Sequence, residues 1–315
     1  MSLLVTRAGL QTTIQAQPRN GQRHLGVPLC GPADPLSMAL ANRLAGNSSA
    51  APALEVTLSG VELRFDRDCS FGVAGAPCDV ALNNRPINVF KSHFAKAGDS
   101  LQVGPALKAV RSYVAFGGGL VGDSFLGSTS TYTPAAIGGF EGRALRNDDR
   151  IDFVNAEAEP IDRQTPPEFR PQFSNAWALR ACAQRNFADL SDDDQVALFN
   201  TNFSISARSD RMGLQLLGQS FDLPTAGYLD SDPIFPGCVQ CPADGVPYLL
   251  SVDAQTTGGY SQLAQVGRVD RHIIGQLRAG DHMRFLVRTP EEAAEDLHEK
   301  HDYWREWLPD IASVI

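Results

Sequence analysis

The sequence predicts a mainly β protein built in two lobes with a few short helices, and three observations predict it. Short segments in which apolar and polar residues alternate recur on both sides of the chain's middle. That middle, NAEAEPIDRQTPPEFRPQ at 155–172, holds Pro160, Pro166, Pro167 and Pro171 among charges and keeps no apolar period, so it reads as a linker. An Ala-Gly-Asp turn leading into alternating apolar positions occurs once in each half, in KAGDSLQV (96–103) and RAGDHMRFLV (278–287). The expected division is a first lobe over 1–160, a second over 161–290 and a helical tail over 291–315.

The elements follow in chain order. PADPLSMALANRLAGN predicts a helix: Asp34 caps it, Pro35 takes the first helical position, Leu36, Leu40 and Leu44 form one stripe, and Gly46-Asn47 ends it. In LEVTLSGVELRF, Leu54, Val56 and Leu58 alternate, then Val61, Leu63 and Phe65 resume in the other phase, so a bulge or turn is expected at Ser59-Gly60. DVALNNRPINVF predicts a hairpin, with Val80 and Leu82 facing Ile87 and Val89 across an Asn83-Asn84 turn, because Asn tolerates positive φ. SDDDQVALF predicts a short helix opened by Ser191 with Asp194 three residues on, and a last helix is expected from about Glu291.

Composition removes several functions. The formal charge of -9 over 315 residues, with no clustered Lys/Arg run, excludes a nucleic-acid surface and an anionic membrane as partners. Arg7 interrupts the first apolar stretch, which therefore does not read as a secretory signal, and no apolar run reaches the roughly 20 residues that span a bilayer. A cytoplasmic protein is expected. Its six cysteines are then no disulfide framework. Cys238 and Cys241 make a CxxC with no second pair to complete a metal site and a turn-forming PADG after it, so packing is expected, and no metal. His298 and His301 are expected to be solvated in the tail.

The chain lacks a P-loop, a GxSxG elbow, an HExxH and a GxGxxG set between a strand and a helix. Three patches of small and hydroxyl residues remain. GSTSTYTPAAIGGFEGR (127–143) carries Ser130, Tyr132 and Arg143; SARSDRMG (206–213) carries Arg211; and DAQTTGGYS (253–261), downstream of CVQC with Gln240, carries Asp253, Thr256, Thr257, Gly258, Gly259 and Tyr260. Paired glycines, hydroxyls and an arginine suit a cradle for a carboxylate or phosphate, and they equally suit tight strand corners. Asp253 reads either as a candidate base or as an exposed strand-end carboxylate. Arg211 beside Met212 and Gly213 reads as a half-buried guanidinium that needs a partner, either a bound anion or an internal carboxylate such as Asp210.

GLQTTIQ, GVPLCGPADPLSMALANRLAGN, ALEVTLSG, GSTSTY, GGFEGRAL, SDRMG and PGCVQCPADGVPYLLSVDAQTTGGYSQLAQV, in this order over about Gly9 to Phe285, resemble the family of the 5-oxoprolinase C subunit. That family includes KipA-type regulators, allophanate hydrolase subunit 2 and one half of the urea carboxylase carboxyltransferase domain. The resemblance implies two cyclophilin-like β-barrel lobes. It also implies partners: the KipI-type B subunit, with an A subunit in 5-oxoprolinase. The activity it implies is ATP-dependent opening of 5-oxoproline to glutamate, the small anionic or amide substrate being held here and ATP being bound at a partner or shared interface. Its alternatives are a carboxyltransferase component acting on urea with biotin, and a non-enzymatic regulator that binds a KipI-type kinase inhibitor. The site it favours is Thr256 to Tyr260 with Arg211, and Asp253 as base. Substrate contacts are assigned to Gln240, Arg143, Ser130 and Tyr132. The chain departs from the family pattern at Ala16, Ala254, Leu214, Gln215 and Ser261, where the family commonly has an aspartate, an arginine, an aromatic, a cation and a proline.

Overall fold

The computed structural model describes residues 2–155, 159–223 and 230–315. The chain gathers into two compact units, the first holding the residues up to Arg19, 30–173 and 304–314, the second holding 20–29, 174–303 and Ile315. Residues 156–158 of the expected linker lie outside the described residues.

The first unit contains β1 (Ser2–Arg7), β2 (Gln11–Gln15), β3 (Ala53–Thr57), β4 (Val61–Phe65), β5 (Cys69–Gly75), β6 (Val80–Leu82), β7 (Arg85–Ile87), β8 (Ser92–Ala95), β9 (Ser100–Val103), β10 (Arg111–Phe116) and β11 (Arg150–Asp152). They form two antiparallel sheets, ordered β11-β1-β4-β9-β6-β7 and β2-β3-β10-β5-β8. Alternate residues of both sheets meet in one core: Leu3 and Val5, Leu63 and Phe65, Leu101 and Val103 from the first; Leu54 and Val56, Val114 and Phe116, Phe71 and Val73 from the second. The phase change at Ser59-Gly60 is a turn that carries the chain from one sheet to the other, so both halves of LEVTLSGVELRF face the same core. Leu58 and Gly60 take positive φ there, 58° and 79°, and a Cβ on Gly60 would come within 2.2 Å of the Val103 carbonyl oxygen.

The other face of the second sheet is covered by α1 (Pro35–Ala45), capped by Asp34, whose carboxylate accepts from Ser37 N, and ended by Gly46 at φ 80°. The helix lies so close to β5 that a Cβ on Gly72 would stand 2.4 Å from Leu44 Cβ. This cover buries Glu55 and Tyr113. Glu55 accepts from Tyr113 Oη (2.7 Å), Ala33 N (2.8 Å) and Arg111 Nε (3.2 Å), and Tyr113 Oη accepts from Asp34 N. Burial first, then Glu55 and Asp34, push the phenol well above its usual range. The group fixes the approach to α1. The predicted hairpin is β6–β7, with Val80 opposite Ile87 and Leu82 opposite Arg85, Val89 falling beyond it; Asn83 and Asn84 are both at positive φ.

The division differs from the expected 160/161. Residues 161–173 run with the first unit because Ser92 N donates to Arg163 O, Thr165 N to Phe90 O, and Phe169 is buried against Trp304. The tail is likewise shared between the units, parting after Tyr303.

The second unit contains β12 (Ala176–Ala183), α2 (Asp192–Asn200), β13 (Phe203–Ile205), β14 (Gly213–Leu217), β15 (Asp232–Pro233), β16 (Cys238–Cys241), β17 (Tyr248–Leu250), β18 (Thr257–Gly258), β19 (Ser261–Val266), α3 (Arg268–Ile274) and β20 (His282–Val287). Seven strands close a barrel in the order β12-β19-β16-β17-β14-β13-β20, sealed by the parallel pair β20–β12. Leu179, Phe203, Leu216, Val239, Leu249, Leu263 and Phe285 fill it. Ser191 caps α2 by accepting from Asp194 N. The tail holds α4 (Pro290–Arg305) and α5 (Ile311–Val314), and α4 opens with a reciprocal cap: Thr289 N donates to Glu292 and Glu292 N to Thr289. The Ala-Gly-Asp turns are equivalent, since Asp99 accepts from Lys96 N (2.7 Å) and Asp281 from Arg278 N (3.0 Å), with Gly98 and Gly280 at φ 94° and 88°.

The fold is thus mainly β with few helices, as the sequence predicts. Among the described residues no helix is long and apolar enough to cross a membrane.

Candidate functional site

Alternation along the barrel strands sends one set of side chains inward and the other out. Gln215 of β14, Tyr248 of β17, Gln240 of β16 and Gln262 of β19 are successive partners in register and share the outward face, while Leu214, Leu216, Leu249, Val239 and Leu263 point into the core. Over this polar row opens a cleft of about 470 Å³, walled by Asp210, Met212, Gln240, Tyr248, Gln255 and Tyr260, with Arg208 and Asp244 at it.

One wall is the SARSDRMG turn, held by its own polar groups. Ser209 Oγ donates to Ser206 O, and Asp210 accepts from Met212 N (2.7 Å) and Gly213 N (3.2 Å). This turn places Asp210 and Met212 on the cleft and sends Arg211 away from it. Arg211 is buried on Asp253, with Nε donating to Oδ2 at 2.7 Å and Nη2 to Oδ1 at 3.0 Å. Two main-chain bonds, Asp253 N to Arg211 O and Ser251 N to Met212 O, stitch the same two loops. Of the two readings of Arg211, the internal carboxylate is the one found, and it is Asp253 rather than Asp210.

Across the cleft stand Gln255 and Tyr260, while Thr256, Thr257, Gly258 and Gly259 between them do not line it. Thr256 is buried and its carbonyl accepts from Ile234 N (3.0 Å) and Arg23 Nη2 (3.3 Å). Thr257 and Gly258 pair with Asp232 and Pro233 as a small ribbon, Thr257 being exposed. Gly258 has no positive φ; a Cβ there would meet Ile234 Cδ1 at 2.5 Å and Gln240 Nε2 at 3.2 Å, so any side chain would displace the ends of these two. Gly259 follows and Tyr260 stands half-exposed at the cleft rim. Gln240 is buried at the cleft floor. Its Oε1 accepts from Gln255 Nε2 at 3.2 Å, and its Nε2 has no hydrogen-bond partner among the described residues. This donor is shut from solvent beside Gly258, and a buried amide without a partner under a cleft is a group that a ligand acceptor would complete. Tyr248 Oη accepts from Gln215 Nε2 at 3.0 Å, so the departure at Gln215 orients a cleft phenol.

Ser130, Tyr132 and Arg143 belong to the first unit. Ser130 Oγ accepts from Ala16 N and donates to Ala16 O, and Thr131 Oγ1 donates to Ile14 O, which laces GSTSTY along β2. Gly138 and Gly139, at φ 70° and 64°, lie where a Cβ would come within 2.2 Å of Ser130 O and 1.9 Å of Thr131 Oγ1. Tyr132 makes a bridge with Ile137. Arg143 forks onto Asp149 at 2.7 and 2.9 Å, reaches Glu141 and lies over the Phe140 ring. Within that unit these groups are engaged with the chain itself.

Cys238 and Cys241 are free and buried, Cys238 among Ile234, Leu250 and Ala254 and Cys241 in the barrel core; burial pushes both thiols up to about 12. The pair packs, as expected. The cleft residues missed from the sequence are Asp210, Met212, Tyr248 and Gln255. The readable signal was a glutamine flanked by apolar residues in two barrel strands, LQL and VQC.

The chain belongs to the family described as carboxyltransferase domain, subdomain A and B, which matches residues 25–287. It is 32% identical to the 5-oxoprolinase C subunit of Escherichia coli over 96% of this chain and 97% of that protein. It is also 32% identical to the 5-oxoprolinase C subunit of Haemophilus influenzae, over 90% and 91%. The Kluyveromyces lactis urea carboxylase structure superposes with a TM-score of 0.90 at 27% identity, covering 96% of this chain and 29% of that one.

Proposed function

We propose that this chain is the C-type subunit of an ATP-dependent 5-oxoprolinase, acting with a KipI-type B subunit plus an A subunit to open 5-oxoproline to glutamate. The observation that carries the reading is the buried, unpartnered amide nitrogen of Gln240, a residue that lines the cleft. A lactam offers a carbonyl acceptor, a ring N–H and a carboxylate. Gln240 Nε2 suits the carbonyl, Asp210 the N–H and Arg208 the carboxylate, with Tyr260 closing the rim; donors aimed at a carbonyl where negative charge develops favour its attack. Arg211 and Asp253 act as positioning residues, because each occupies the other's polar atoms and together they hold Met212 and Gln255 in place. Thr256, Thr257, Gly258 and Gly259 connect Gln255 to Tyr260. Full-length similarity to two 5-oxoprolinase C subunits supports this assignment.

The cleft does not fit a nucleoside triphosphate: Asp210 and Asp244 place carboxylates at it, and among the described residues no three metal-ligating side chains group together. ATP is therefore assigned to a partner or shared interface, and no step on this chain is routed through it. The test is reconstitution with the A and B subunits, measuring glutamate and phosphate release from 5-oxoproline and ATP. Release that requires this chain supports the reading; release without it contradicts it.

A second reading, a urea-type carboxyltransferase using biotin, is favoured by the urea carboxylase superposition. It predicts turnover of urea with a biotinylated carrier in the same assembly, and no glutamate from 5-oxoproline. A KipA-like regulator would bind a KipI-type protein with neither turnover.

A further inference from the structure

Three arginines of the second unit, Arg23, Arg268 and Arg271, have no carboxylate partner among the described residues. Arg23 comes from a short helical turn, Arg23–Leu25, and Arg268 and Arg271 sit three residues apart on one face of α3. Arg23 Cζ lies 4.6 Å over the Phe235 ring, and its Nη2 reaches Thr256 O. Arg271 Nε donates to Val266 O at 3.3 Å. The two are tied through the chain between them: Gln265 Nε2 bonds Pro236 O (2.9 Å) and Val266 O (3.2 Å), and Val266 N bonds Gly237 O (2.8 Å).

Elsewhere in the second unit Arg180 is neutralised by Asp270 and Asp296, Arg211 by Asp253 and Arg288 by Asp296, while the buried Arg19 and Arg67 of the first unit are held by main-chain carbonyls. Asp270, between Arg268 and Arg271 in sequence, is spent on Arg180. Among the described residues no ion pair engages Arg23, Arg268 or Arg271, and Arg23 Nη1 is shut from solvent without a partner. Burial, then Arg268, then Arg23 lower Arg271 to about 10, so the charges it feels are cations and no carboxylate offsets them. A chain of net charge -9 that leaves three cations together is arranged for an anion from outside.

We propose that Arg23, Arg268 and Arg271 form a binding site for a divalent phosphate-type anion, separate from the cleft. Planar guanidinium forks match phosphate oxygens, and three positive charges match a dianion better than a single carboxylate. Arg271 Nε and Arg23 Nη2 are held by carbonyls and Arg23 Nη1 is shut from solvent, which leaves Arg23 Nε, the two Nη groups of Arg271 and the Arg268 guanidinium for the ligand. The site requires nothing of the reaction proposed for the cleft.

The test is calorimetric titration of the intact chain with inorganic phosphate, with ADP, and with acetate at constant ionic strength. Saturable binding of one equivalent of phosphate or ADP is expected, the tighter of the two naming the source of the phosphoryl group. Arg268→Ala, at an exposed position, should weaken it about tenfold, and Arg23→Ala with Arg268→Ala should abolish it, loss of a charge-assisted bond costing about a factor of ten or more. Arg271→Lys keeps the charge and should still weaken binding by removing the fork. No saturation in either phosphoryl arm, an affinity that Arg268→Ala leaves unchanged in a folded protein, or acetate binding as tightly as phosphate would overturn the proposal.

Discussion

Arg211 and Asp253, 42 residues apart, meet in a bidentate pair of 2.7 and 3.0 Å with both side chains under a tenth exposed. Removing one partner strands the other charge in a dry site, which costs about 3–5 kcal/mol. Arg211→Met and Asp253→Leu are each expected to lower stability by about that amount in urea unfolding. The double variant should lose much less than the sum of the two, because no charge is left unpaired. Additive losses would contradict the pairing.

Gly258 is a matter of space, and Gly280 of backbone conformation. Gly258→Ala should push Ile234 or Gln240 aside and weaken cleft ligands, since its Cβ has 2.5 Å where ordinary contact needs far more. At Gly280 nothing lies within 4 Å but φ is 88°, so Gly280→Ala should cost about 1 kcal/mol of stability and leave cleft binding untouched. Comparing ligand affinity with unfolding midpoints in the two variants separates the effects.

His272 is buried in α3 with Nε2 3.2 Å from Lys300 Nζ, and burial first, then Lys300 and Arg180, hold it well below 6.5. The unfolded chain therefore binds a proton that the folded chain refuses. Stability is fully present above pH 6.5 and falls as pH drops below it, by up to about 1.4 kcal/mol per unit from this group. Urea midpoints between pH 7.5 and 5 should show that slope, and His272→Gln should flatten it.

Cys238 and Cys241, with thiols raised to about 12, should resist a disulfide reagent in native protein at pH 8 and react on unfolding, whereas the less buried Cys182 should react first. Rapid native labelling of either buried cysteine would refute the packing described.

What the sequence made legible was local. The caps of α1 and α2, the Asn83-Asn84 hairpin and the two Asp-closed turns rest on bonds within a few residues, and each was found where its residues predict it. The cleft was legible only in part. Gln240 and Tyr260 line it, but Ser130, Tyr132 and Arg143 carry the same hydroxyl and guanidinium chemistry and are engaged by Ala16, Ile137 and Asp149. A polar residue that satisfies its own backbone and one that waits for a ligand look alike in one dimension. Tyr248 comes to the cleft through strand register, which pairs it with Gln215 and Gln240, and Asp210 and Gln255 come from loops that the Arg211–Asp253 pair brings together across 42 residues.

The most direct measurement is the kcat/KM for 5-oxoproline of the reconstituted A, B and C subunits with Gln240→Leu in place of the natural chain. Loss of a buried donor to the lactam carbonyl predicts a fall of about 10- to 100-fold with assembly of the complex unchanged. Undiminished turnover would contradict the assignment of the cleft as the lactam site.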